Sequence, residues 1–191
     1  MGVVHQALQD AHAYGVIVLE PHGPEGALFL RWCEKTRVEA AAAPGANGEG
    51  TDPGASAELV RAAGRIAAAG RGALVVHPVN RTALLLGDIP PEPLLPLGDV
   101  PASVIQTCTG GWSGSESVTS LANRAGGVEA LDRALFRWLE RREPFAVATS
   151  ELAPEVACAL RSRFQAGRFG RRRAGLVPKL GYRTVGHDLR I

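Results

Sequence analysis

Residues 113–142 constrain the fold more than any other stretch. They read SGSESVTSLANRAGGVEALDRALFRWLERR. Ser113 and Glu116 have the spacing of a capping box, in which two side chains satisfy free backbone donors reciprocally, and this predicts a helix start at Ser113. Val118, Leu121, Ala122 and Ala125 then share one helical face. Gly126-Gly127 ends that helix, because glycine takes the left-handed conformation at low cost. Val128, Leu131, Leu135, Trp138 and Leu139 form a second stripe. Glu129 lies near its start and Arg141-Arg142 near its end, as the helix dipole favours. The stretch therefore reads as a helical hairpin. Part of it, Val118 to Arg137, also has the spacing of a DNA-binding helix-turn-helix, except that Asp132 stands where an apolar residue is required.

A chain of 191 residues forms one domain or two small units sharing a core, and buries enough surface to need no disulfide or metal staple. Cys33, Cys108 and Cys158 are odd in number and far apart, which excludes a zinc ligand pair and a disulfide framework. The first 15 residues lack a basic region followed by a continuous apolar one, so no secretory signal is expected. No apolar run is long enough to span a membrane. A reduced, cytoplasmic protein is the expectation. Charge is uneven. Residues 1–110 hold 7 basic and 11 acidic side chains, a net of −4, and residues 111–191 hold 14 and 8, a net of +6.

In chain order, Val3 to Tyr14 suits a short helix. Gly15–Glu20 and Ala27–Cys33 are apolar runs of strand length around the turn-rich PHGPEG, which predicts a hairpin. Ala40 to Ala55 is small, polar and rich in Gly and Pro, as in a surface loop or linker. A helix is expected over Ser56–Arg71. Ala73–His77 and Thr82–Leu86 read as a second antiparallel hairpin, because their four-residue joint is too short for a parallel crossover. Prolines 90, 91, 93, 96 and 101 make residues 87–101 extended. Ala102–Thr107 suits a short strand, Pro144–Thr149 a connector or strand, and Ser150–Ala166 a third helix with Pro154 in its first turn.

Four groups of residues carry candidate chemistry. The Gly-rich loop 108–115 precedes a helix, and the free N–H groups of Gly110, Gly111, Ser113 and Ser115 suit an anion. It has no phosphate-loop lysine, and Gly111–Ser115 misses the serine-nucleophile turn because its fifth residue is serine. His77, Asp88 and Asp99 are acid/base candidates at a strand end and in two Gly-Asp turns. Cys108 is a candidate nucleophile near a helix start. The basic end, with Arg168, Arg171, Arg172, Arg173, Lys179 and Arg183 among interleaved aromatics, suits phosphate contacts, an acidic partner, or the acidic front half of the same chain.

These observations predict an α+β fold: a small, mainly antiparallel sheet with one packed helix over 1–107, then a three-helix cluster with a basic tail over 108–191, in one compact domain. The leading functional expectation is a cytoplasmic, non-enzymatic binding or adaptor protein whose basic C-terminal face meets nucleic acid or an acidic protein. The alternative is a small enzyme or ligand-binding module with an anion site at loop 108–115 and His77, Asp88 or Asp99 as acid/base groups. No metal site and no particular cofactor is specified.

Overall fold

The structure, a computed structural model, describes residues 8–9, 13–19, 21–43, 57–88, 94–171 and 177, with the side chains of 57–61 and 63 excepted. The expected helix over Val3 to Tyr14 lies largely outside these residues.

The sheet is parallel, which corrects the antiparallel expectation. Strands β1 (Gly15–Val18), β2 (Glu39–Ala42) and β3 (Ala73–Val76) lie in the order β2-β1-β3, and β1 pairs in parallel with both neighbours. The first expected hairpin fails because Ala27–Cys33 belongs to a helix, α1 (Pro24–Thr36). Pro24 occupies the first turn, where its missing N–H costs little, and Phe29 and Cys33, four residues apart, point into the core. A short apolar run alone does not separate strand from helix. Here the Gly23-Pro24 start decides. Ala40–Ala42, read as loop, belong to β2 instead. Residues 44–56 lie outside the described set.

The second expected hairpin fails for a similar reason. Asn80 caps a short helix, α3 (Arg81–Leu85), by accepting the Ala83 N–H at 2.9 Å. The connection from β2 to β3 runs through α2 (Ala57–Arg71), so both crossovers are helical, as parallel pairing requires.

Helices cover both faces of the sheet. Val16, Val18 and Val76 pack with Phe29 and Cys33 of α1. Ile17, Leu19 and Val75 pack with Ala68 of α2. All four residues of β1 are buried, so its apolar residues run without alternation, as in a strand covered on both sides. On the α2 side the approach is close: a Cβ on Gly64 would lie 3.0 Å from Leu19 Cδ2.

The remaining helices build a second, larger core. They are α4 (Ala102–Thr109), α5 (Glu116–Arg124), α6 (Val128–Leu135) continuing into a π-helical turn (Phe136–Glu140), α7 (Phe145–Ala148), α8 (Pro154–Ala166) and α9 (Arg168–Arg171). Ala102–Thr107, read as a strand, is thus helical. Leu84, Leu85 and Leu86 carry the chain from the sheet into this core, where they meet Leu121, Leu131, Leu139, Leu160 and Phe164. The α5 cap is Ser115, whose Oγ accepts the Val118 N–H at 3.4 Å, two residues beyond the Ser113 expected. Gly126 (φ 89°) and Gly127 (φ 121°) make the turn into α6. Among the described residues, no helix is long and apolar enough to cross a membrane.

Candidate functional site

In an open parallel sheet the ligand crevice lies beyond the carboxyl ends of strands that lead away in opposite directions. From β1 the chain passes to β2 on one side, then returns across to β3 on the other. The strand order reverses between β1 and β3, so that rule directs attention to the start of α1 and to the segment after β3, His77 to Asn80.

Three pieces of chain meet there. Glu25, in the first turn of α1, is 3% exposed. Its Oε1 accepts the Asn80 side-chain N–H at 2.7 Å and the Ser113 backbone N–H at 2.8 Å. The Asn80 amide nitrogen also donates to the Ser113 carbonyl at 2.6 Å. Gly111 packs on the same helix start; a Cβ there would lie 3.3 Å from Pro24 Cγ. The Gly-rich loop thus closes over the carboxyl edge of the sheet. The other Glu25 oxygen, Oε2, is buried without a hydrogen-bond partner among the described residues.

The far end of the loop is built alike. The Ser115 N–H donates to Asp88 Oδ2 at 2.8 Å, and Arg163 reaches both Asp88 Oδ1 (3.2 Å) and Ser115 Oγ (3.3 Å). Both loop amides therefore already hold a carboxylate of the same chain. Gly110, in the left-handed region at φ 81°, ends α4 by returning its N–H to the Gln106 carbonyl.

The other expected residues are dispersed. His77 is buried, and its backbone N–H pairs with the Leu94 carbonyl at 3.1 Å. Asp99 is buried against Arg81, with Oδ1 3.7 Å from Nε. Arg81 also pairs with Glu140 of the π-helical turn. Asp132 accepts the Ser103 N–H at 2.8 Å and the Thr82 hydroxyl. Burial raises its carboxyl above the usual range, against the opposing pull of these hydrogen bonds and of Arg81. Beside this group lies a cavity of about 30 Å³ lined by Arg81, Thr82 and Asp132, room for about one water. Asp132 therefore packs inward, whereas a recognition helix would turn outward. Cys108 is exposed. The Cys33 thiol is pushed up to about 11 by burial and is inert at neutral pH. Among the described residues, no group of three His, Cys, Asp or Glu is placed to hold a metal.

The basic end divides. Arg168 is exposed. Arg171 is 2% exposed, its guanidinium lies 3.8 Å from the centre of the Phe164 ring, and it donates to the Leu85 carbonyl at 2.7 Å. Burial lowers its pKa to about 10, which leaves it charged at neutral pH. Arg172, Arg173, Lys179 and Arg183 lie outside the described residues.

Sequence reasoning missed Glu25 and Asn80. Both had a local signal: Gly23-Pro24-Glu25 is a helix start with an acid in its first turn, and Asn80 is a cap residue before Arg81. Arg163 belongs to the basic C-terminal end, and only the tertiary fold brings it to Asp88.

The geometry defines an α/β protein with a parallel sheet covered by helices on both faces. No family model and no curated protein matches the chain. Among solved structures, an NH3-dependent NAD synthetase from Campylobacter jejuni subsp. jejuni NCTC 11168, in complex with the nitrate ion, is similar. The TM-score is 0.53 at 17% identity, and the match covers 94% of this chain and 94% of that one. The likeness shows a shared fold. The expectation of a non-enzymatic adaptor is corrected on this point: the chain shares an enzyme's fold over nearly its whole length, and Arg171 is engaged inside the molecule.

Proposed function

We propose that this chain is a small enzyme or ligand-binding module that takes a nucleotide-type ligand at the carboxyl edge of β1 and β3. The supporting observation is the meeting of the Gly-rich loop with the end of β3 at Glu25, through Asn80 and Ser113. The name of the structural neighbour supplies the ligand class, a dinucleotide with anionic phosphates. In loop 108–115 the Ser113 and Ser115 N–H groups suit such an anion once the Glu25 and Asp88 carboxylates give way to it. Of the acid/base candidates, Asp88 is the one in contact with the loop, and it takes that role. His77 stands at the end of β3 and shapes the floor. Three free cysteines fit a reducing, cytoplasmic setting.

Calorimetric titration with NAD and with AMP tests the reading. Saturable binding with a Kd below about 1 mM is expected, weakened about tenfold or more by Gly111→Val, which crowds the loop against Pro24. Absence of saturable binding to both nucleotides, in wild type and in Glu25 variants alike, would overturn it.

A further inference from the structure

The place where the loop would hold a ligand's anion is already filled. A carboxylate sits between an amide side chain and a backbone N–H, at the electropositive start of a 13-residue helix whose own cap, Gly23, offers no side chain. Glu25 is nine-tenths buried and leaves one oxygen without a partner. A residue serving only to brace the loop would gain from satisfying both oxygens, because an orphaned buried acceptor is destabilising.

We propose that the space between the start of α1, Asn80 and Ser113 is an oxyanion subsite, for a carboxylate or phosphate, that the chain occupies with its own Glu25. An incoming anionic group must displace that side chain. The donors are shared: Asn80 Nδ2 and the Ser113 N–H bind Glu25 Oε1 now and would bind the ligand's oxygen afterwards. The Asn80 carbonyl oxygen is tied to the Ala83 N–H, so its amide nitrogen is fixed facing the subsite. The partnerless Oε2 limits how firmly the plug is held. This inference rests on the proposed location of the site, and it deepens that reading by assigning a residue that controls entry.

Chemical rescue of Glu25→Ala tests it. Thermal unfolding is followed with sodium acetate, inorganic phosphate or sodium chloride at matched ionic strength. Acetate or phosphate, but not chloride, should raise the variant's Tm by about 4 °C at tens of millimolar and leave wild type unchanged. A folded variant that responds equally to all three salts overturns the proposal. Should Glu25→Ala not fold, Glu25→Gln decides: with the plug's charge removed, it should bind phosphate about tenfold more tightly than wild type, and equal affinity overturns the proposal. The two readings fail separately. Anion-specific rescue with no nucleotide binding in any variant sinks the proposed function alone. Nucleotide binding that Glu25→Ala leaves unchanged, with no rescue, sinks the plug alone.

Discussion

Gly15 and Arg171 show how differently the two halves of the molecule are held. In the sheet the limit is backbone against backbone: a Cβ on Gly15 would lie 2.6 Å from the Glu39 carbonyl oxygen of the paired strand. In the helical cluster side chains share the limit with backbone. The Arg171 guanidinium carbon lies 3.8 Å from the centre of the Phe164 ring, and a Cβ on Gly167 would meet that guanidinium at 2.7 Å and the Gly87 backbone at 3.0 Å. A strand buried on both faces has nowhere to shift, whereas helices packed through long side chains adjust by changing rotamers. The sheet half therefore depends on a few unforgiving positions, and the helical half spreads its stability over a broad apolar core.

The contrast ranks substitutions. Gly15→Ala should have the largest effect, a loss of about 3 kcal/mol in denaturant midpoint measurements, because the paired strand must move as a whole. A loss below about 1 kcal/mol would mean that the β1–β2 pairing is looser than its geometry implies. Arg171→Met keeps the apolar stem and removes the charge. It should cost about 1–2 kcal/mol, since the Leu85 carbonyl loses its donor while the Phe164 ring stays covered.

Asp132 sharpens the comparison through pH. Burial raises its native pKa, so the folded chain keeps its proton to a higher pH than the unfolded chain does. Its contribution to stability is full below the unfolded carboxylate value of about 4 and falls as pH climbs through the raised native value. Asp132→Asn should flatten that decline in urea midpoints taken between pH 4 and pH 8, and an unchanged slope would place the decline elsewhere. Arg133→Ala should do least. Its bonds to Glu129 and Glu151 raise its pKa, but they are solvent-exposed, so no change in Tm is expected.

The candidate site was legible in pieces. Loop 108–115 announced itself through its glycines, and Asp88 through its turn, but nothing local joins them. The separation of 27 positions from Asp88 to Ser115, and of 88 from Glu25 to Ser113, is closed only by the fold. Net charge alone does not say which way a guanidinium points. At the basic end, Arg171 is buried and engaged with the Leu85 carbonyl, while Arg168 faces solvent.

What the sequence determined by itself was local: the helical stripes of Val118 to Leu139, the glycine turn at 126–127, the end of α8 at Ala166, and the absence of a cysteine framework. Each depends on periodicity or on a cap within a few residues. Tertiary structure alone decided the direction of the strands, because a buried parallel strand and a buried helix turn look alike as short apolar runs. It also decided which carboxylates close the Gly-rich loop, since hydrogen bonds between distant segments leave no periodic trace in the chain.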